Sequence, residues 1–250
     1  MNVRATPQLV GIGVGPGDPE LITVKAVRLL AAADAVLVPA TEQSGDGAGR
    51  AEQIVVANCP DAKIVRIPFS MACRKGIDEQ RKEAWQTSAE AAVDAFQAGA
   101  QLVVFATVGD PSVYSTFSYL AAHVVVLMPE VEIDVVPGIT AMQALAAESR
   151  TPLVEGTETL ALVPVTAGLD TLGELLDVVD TVVAYKGGRK LPEVAETVRG
   201  KGRDAVLGVN IGLEKQQIFT LSELDDDQRA PYFSTVLAPA RRSGKTGGRL

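Results

Sequence analysis

The chain has 250 residues and a net charge of −8, with 47% hydrophobic but only 4% aromatic residues. That length holds one large domain or two moderate ones with real cores, and the acidic balance argues against non-specific binding to nucleic acid. Cys59 and Cys73 form no CxxC motif, His123 is the only histidine, and no apolar run nears the ~20 residues of a membrane span. A metal site, a disulfide framework and a membrane partner are therefore not expected, and a reducing cytoplasm is.

Residues 1–7 read as a loose end. Leu9 to Val14 predicts a first strand that runs into the turn Gly15-Pro16-Gly17-Asp18-Pro19. A helix is expected from about Pro19, capped by Asp18, with Leu21, Val24, Val27 and Leu30 on its apolar face. Ala35 to Val38 is a second strand stopped by Pro39, and residues 41–49 form a flexible polar loop. A helix from about Arg50 to Ala57 leads to a strand, Lys63 to Ile67, and then to Pro68-Phe69-Ser70-Met71, a candidate groove wall. Trp85, Ala89, Ala92, Val93 and Phe96 share one stripe of the next helix, which Gly99 ends; core packing accounts for that stripe. Leu102 to Thr107 predicts a strand, followed by the turn Gly109-Asp110-Pro111 and a helix from Pro111 to about Ala122. Glu132 to Val136 is a further strand, ending at Pro137-Gly138. This β–α alternation predicts a mostly parallel sheet with helices on both faces.

Beyond about residue 150 the strands come closer together. Leu160–Val163 and Thr181–Tyr185 flank a helix at 171–179, and Ala205–Gly208, Gln217–Thr220 and Phe233–Leu237 add short strands. The fold class is therefore α/β in two domains: residues 1–137 around a parallel sheet, residues 138–240 around a mixed sheet, and 241–250 a flexible basic tail.

Gly11-Ile12-Gly13-Val14-Gly15-Pro16-Gly17 invites a dinucleotide reading but fails it. Counted from Gly11 the third required glycine is Pro16, and counted from Gly13 it is Asp18. The chain also lacks a GxxxxGK[ST] loop, and Asp18 would repel phosphate. An electropositive ligand, or one held by backbone carbonyls and amides, suits these turns better.

Three motifs in order, Gly13-Val14-Gly15-Pro16-Gly17-Asp18-Pro19, Val108-Gly109-Asp110-Pro111 and Val136-Pro137-Gly138-Ile139-Thr140, resemble those of the tetrapyrrole methylases. The resemblance extends to about Ala238. It implies a two-domain, usually homodimeric enzyme that uses S-adenosylmethionine in the cleft between its domains. Tyr114-Ser115-Thr116-Phe117, Pro152-Leu153-Val154-Glu155-Gly156 and Tyr232-Phe233-Ser234-Thr235-Val236-Leu237 are similar to the branch that methylates C20 of precorrin-2 or cobalt-factor II. Pro39 stands where uroporphyrinogen methylases have an aspartate, which counts against that step.

By position, the resemblance implies cofactor contacts from Pro16, Val108, Gly109, Asp110, Val113, Thr140, Ala141, Lys186 and a residue near Leu213. Asp110 would meet the cofactor's amino or hydroxyl groups or cap the helix expected from Pro111; the two roles are compatible. Tyr114 is the candidate hydroxyl for orienting the macrocycle. Lys186 is a candidate to bind a substrate carboxylate or assist proton movement. Arg74, Lys75, Arg81, Lys82, Arg150, Arg189 and Lys190 are further candidates for the substrate's carboxylates. Another tetrapyrrole methylase of the family (a different precorrin carbon or uroporphyrinogen III), a relative that methylates RNA or protein, and a non-catalytic nucleotide-binding module stay open as alternatives.

Overall fold

Two units divide the chain, Met1–Thr140 and Ala141–Leu250, in a computed structural model that describes residues 6–40, 47–68, 79–225, 228–231 and 233–242, with 79–81 as backbone. The first unit contains β1 (Gln8–Gly13), β2 (Ala35–Ala40), β3 (Ile64–Pro68), β4 (Leu102–Thr107) and β5 (Glu132–Val136). They pair in the order β3-β2-β4-β1-β5, every neighbouring pair parallel.

Side chains alternate across such strands, and the apolar runs feed both faces. Val10, Ile12, Val36 and Val104 pack with α1 (Val24–Ala32) and α2 (Arg50–Asn58). Leu9, Leu37, Val103 and Phe105 pack with α3 (Glu79–Gln97) and α4 (Phe117–Leu127). Most of the stripe on α3 is core, as its spacing predicts: Trp85, Ala89, Ala92 and Phe96 are buried, while Val93 is half-buried. Trp85 also stacks on Tyr119 of α4, ring centroids 4.1 Å apart.

Three sequence-based boundaries are corrected. β2 runs through Pro39 to Ala40; its pairing with β4 ends at Leu37, so a residue without an N–H is tolerated beyond that point. The helix expected from Pro19 forms in two steps. Asp18 Oδ1 accepts from Glu20 N (2.8 Å) and caps only a 3-10 turn, Pro19–Leu21. Thr23 then caps α1 through Ala26 N (3.2 Å), a contact worth about 1 kcal/mol. The helix expected from Pro111 starts at Phe117 instead, because Tyr114 takes a left-handed φ of 53° that no α-helix accommodates.

The second unit opens with α5 (Ala141–Glu148) and carries β6 (Leu160–Pro164), β7 (Thr181–Tyr185), β8 (Val206–Val209), β9 (Gln217–Thr220) and β10 (Ser234–Ala238). The sheet order is β6-β7-β10-β8-β9; β6 and β7 are parallel and the other pairs antiparallel, so the sheet is mixed. Leu172 and Leu176 of α6 (Leu169–Val178), with Val194 and Val198 of α7 (Leu191–Gly200), cover one face. Ala144 and Leu145 of α5 pack on Val183 and Leu237 of the other.

Contrary to the expected free tail from residue 241, Arg241 and Arg242 are bonded to the second unit. Arg241 Nη2 donates to the carbonyls of Lys201 (2.6 Å) and Gly202 (2.8 Å), and Arg242 pairs with Glu155 (2.8 Å) and Glu158 (2.6 Å). Residues 243–250 lie outside the described residues. Arg203, which carries no sequence signal, is buried and donates to the carbonyls of Leu176 (2.9 Å) and Pro239 (2.9 Å), among others. Its guanidinium thereby ties the end of α6 to the chain beyond β10.

Two glycines test this packing in opposite directions. A Cβ on Gly13 would lie 2.4 Å from Gly109 O and 2.6 Å from Gly138 N, both backbone atoms that cannot yield cheaply. Gly13→Ala should therefore cost about 1–3 kcal/mol in urea unfolding. Gly173, inside α6, would meet only Lys201 Cε at 3.6 Å and Thr197 Cγ2 at 3.7 Å. Gly173→Ala should stabilise by about 0.5–1 kcal/mol.

Candidate functional site

β1 and β4 are neighbours, yet the chain leaves β1 toward β2 on one side and leaves β4 toward β5 on the other. The carboxyl ends of β1 and β4 thus form a topological switch point, where open parallel sheets bind ligands. The turns after β1, β4 and β5 all converge there.

Their convergence depends on glycine. Val14 N donates to Thr107 O (2.9 Å), and Gly109 N donates to Gly15 O (2.7 Å), making a bridge just beyond the strands. Gly15 and Gly109 hold φ at 87° and 74°, the region glycine adopts without strain. A Cβ on Gly138 would stand 2.1 Å from Gly109 O and 2.7 Å from Gly13 Cα. Any side chain at Gly13 or Gly138 would push the turns apart.

Asp110 bolts this assembly. Its Oδ1 accepts from Ser112 N (2.7 Å) and from the Ser112 hydroxyl, and its Oδ2 accepts from Gly138 N (2.8 Å). The residue is only 7% exposed. Burial pushes its pKa up, but hydrogen bonds from the Ser112 side chain, Gly138 N–H and Ser112 N–H outweigh burial and hold it below the usual carboxylate range. The cap expected at a Pro111 helix start is thus a turn cap combined with a link between two loops.

The structure gathers most of the sequence-selected residues of the first unit at this edge. Pro16 is buried behind Gly15, and Val108, Gly109 and Asp110 follow β4 directly. Val113 N donates to Asp110 O (3.2 Å), and Tyr114 follows with 42% of its surface exposed. Thr140 is buried, its Cα 3.9 Å from where a Gly109 Cβ would stand. Desolvation pushes the Tyr114 phenol pKa up, so it is protonated at neutral pH.

In the second unit, Ala141 is the first residue of α5, and the next amide, Met142 N, donates to Tyr185 Oη (3.0 Å). That bond sets the start of α5 beside the end of β7, where Lys186 has a left-handed φ of 61°. Leu213 lies in a turn after β8, its N–H donating to Asn210 O (3.1 Å), and Gln216 ties that turn to Glu148 at the other end of α5 (2.9 Å). Lys82, Arg150, Arg189 and Lys190 are exposed. Arg74, Lys75, the Arg81 side chain, Tyr232 and the wall residues 69–71 lie outside what is described.

The electrostatics of the first edge are one-sided. Residues 14–22, 108–116 and 137–140 include Asp18, Glu20 and Asp110 but no lysine, arginine or histidine. Such a donor set does not fit pyrophosphate, which needs cations or a free helix N-terminus. It fits a cationic sulfonium and ammonium group met by backbone carbonyls. Sequence reasoning passed over the bonding of Ser112, whose hydroxyl partners Asp110 within the turn, and of Ser115 and Tyr185, whose hydroxyls partner groups brought near by the fold.

Comparison with known proteins agrees with this arrangement. Residues 8–225 match the family described as Tetrapyrrole (Corrin/Porphyrin) Methylases. The chain is 36% identical over 241 residues to a precorrin-2 C(20)-methyltransferase of a Sinorhizobium species, covering 93% of this chain and 95% of that protein. It is 31% identical over 237 residues to the cobalt-precorrin-2 C(20)-methyltransferase of Salmonella typhimurium, covering 92% and 95%. Among solved structures, uroporphyrin-III C-methyl transferase from Thermus thermophilus, complexed with S-adenyl homocysteine, superposes with a TM-score of 0.67 at 22% identity, covering 93% and 97%. A cobalamin-synthesis-related protein from Corynebacterium diphtheriae gives 0.71 at 20% identity, covering 94% and 99%, so the fold is shared. Ordered motifs, sheet topology and near full-length similarity converge: this chain belongs to the tetrapyrrole methylases.

Proposed function

We propose that the protein transfers a methyl group from S-adenosylmethionine to C20 of precorrin-2, or of its cobalt-bearing counterpart, in cobalamin biosynthesis. The observation that carries this reading is the switch-point edge, built from backbone turns whose charged side chains are all acidic. The carbon named follows from the relatives, two of which are C(20)-methyltransferases aligned over nearly their whole length.

Bound S-adenosylmethionine supplies an electrophilic methyl group on a positively charged sulfur, and that charge is lost as the new bond forms. A bare carboxylate against the sulfur would hold the ground state more tightly than the transition state. Asp110 avoids this, because Ser112 and Gly138 already donate to its carboxylate. Its proposed part is to keep Gly109, Val108 and Thr140 where their backbone can meet the cofactor, with Pro16 and Val113 on either side. In the second unit the resemblance assigns cofactor contacts to Ala141, Lys186 and Leu213.

The reacting carbon of a reduced tetrapyrrole is conjugated with pyrrole nitrogens and is already nucleophilic, so placement is the protein's main contribution. Tyr114, neutral and exposed at the edge, is proposed to orient the macrocycle, and Lys186 to meet one of its carboxylates or assist proton movement. The reading includes a cytoplasmic homodimer with no nucleic-acid or membrane partner. Among the described residues no helix is long and apolar enough to cross a membrane.

Incubation with S-adenosylmethionine and precorrin-2 should add one methyl group by mass and release S-adenosylhomocysteine. An unchanged substrate mass, with no S-adenosylhomocysteine binding by calorimetry, would overturn the reading. Sedimentation of the purified protein should give twice the monomer mass.

Asp110 also sets a pH signature. Its folded pKa lies below the unfolded value of about 3.9, so its stabilisation is present above about pH 4 and is lost as pH falls through the folded pKa. Asp110→Asn places an amide where Gly138 N–H needs an acceptor and should cost about 1–3 kcal/mol near neutral pH. That deficit should shrink in urea titrations below about pH 4.

A further inference from the structure

We propose that Ser115 is a positioning residue: its hydroxyl clamps the chain beside Tyr114 to the end of β4 and so sets how the tetrapyrrole presents its reacting carbon. The inference rests on the reading of Tyr114 as the group that orients the macrocycle.

Tyr114 holds φ at 53°, a conformation that costs a non-glycine residue about 1 kcal/mol or more and persists only where its surroundings over-determine it. Both flanks supply that constraint. Upstream, Val113 N donates to Asp110 O (3.2 Å), inside the turn that Asp110 closes. Downstream, Ser115 Oγ donates to Thr107 Oγ1 (3.2 Å) and accepts from Phe117 N (3.2 Å). One hydroxyl thus joins the last residue of β4 to the first residue of α4.

Both anchors are rigid. Thr107 is 9% exposed and lies in the ladder with β1. Phe117 is 3% exposed, and its ring fills the space a Cβ on Gly11 would need, 2.6 Å away. Between these fixed points Tyr114 is left 42% exposed at a switch point. A strained, exposed side chain held on one flank by the Asp110 turn and on the other by β4 has the geometry of a ligand-orienting group. Fold stability alone gives no reason to clamp an exposed tyrosine from both sides.

The test uses Ser115→Ala, Thr107→Val and the double variant, with Ser115→Thr as the variant that keeps the hydroxyl. Either single change should raise KM for the tetrapyrrole about fivefold, as expected for one neutral hydrogen bond, with S-adenosylhomocysteine affinity and melting temperature near wild type. The double variant should be no worse than Ser115→Ala alone, because the bond that Thr107→Val removes is already lost in it, and Ser115→Thr should stay close to wild type. Unchanged KM in both single variants, additive losses, or an equal fall in S-adenosylhomocysteine affinity would overturn the proposal. Should Ser115→Ala fail to fold, Thr107→Val decides alone. A wild-type protein that methylates no tetrapyrrole sinks the functional reading instead, so the two failures are distinguishable.

Discussion

The first unit is organised by the approach of three backbone turns to within side-chain exclusion distance. Gly13, Gly109 and Gly138 pack so closely that a methyl group on the first or third would overlap peptide atoms of the others. Backbone contact at that range has no side chain to lock it, so it needs an external tie. Asp110 is that tie, spanning from the turn after β4 to the amide of Gly138. The strands deliver the turns to one edge; glycine lets them touch; a buried carboxylate keeps them together.

The same contact decides the chemistry of the edge. Turns this close leave carbonyls and amides as the principal ligand-facing groups, and the side chains that accompany them are acidic or neutral. A phosphate-binding loop needs the opposite, a free positive helix end or a lysine. In this chain the helix ends near the edge are occupied: Asp18 and Thr23 cap the elements after β1, and Ser115 accepts the first amide of α4. What is left suits a cation that must be held without being neutralised, which is what methyl transfer from a sulfonium asks of its site.

The strands and their alternation were legible in the sequence because buried parallel strands read as short apolar runs separated by turn residues. The three ordered Gly-Pro motifs were legible for the same reason, each closing a strand. Two helix starts were not. Pro19 and Pro111 both follow an aspartate and look like first-turn prolines, yet each opens a tight turn, because a second cap at Thr23 and a left-handed Tyr114 reset the chain. Pro39 was misread because nothing local records where β2 outruns β4. Arg203, Ser115 and Tyr185 bond to groups 36, 8 and 43 residues away, a separation that no periodicity or spacing exposes.

The central claim is that an acidic, backbone-built switch point serves methyl transfer to one specified meso carbon. The most direct measurement is carbon NMR of the product formed from methyl-labelled S-adenosylmethionine and precorrin-2. The account predicts a single new resonance, from a methyl group on C20. A label on a pyrrole ring carbon would contradict the regiochemistry while leaving the family intact, and no transferred label with either the metal-free or the cobalt-bearing substrate would contradict the account as a whole.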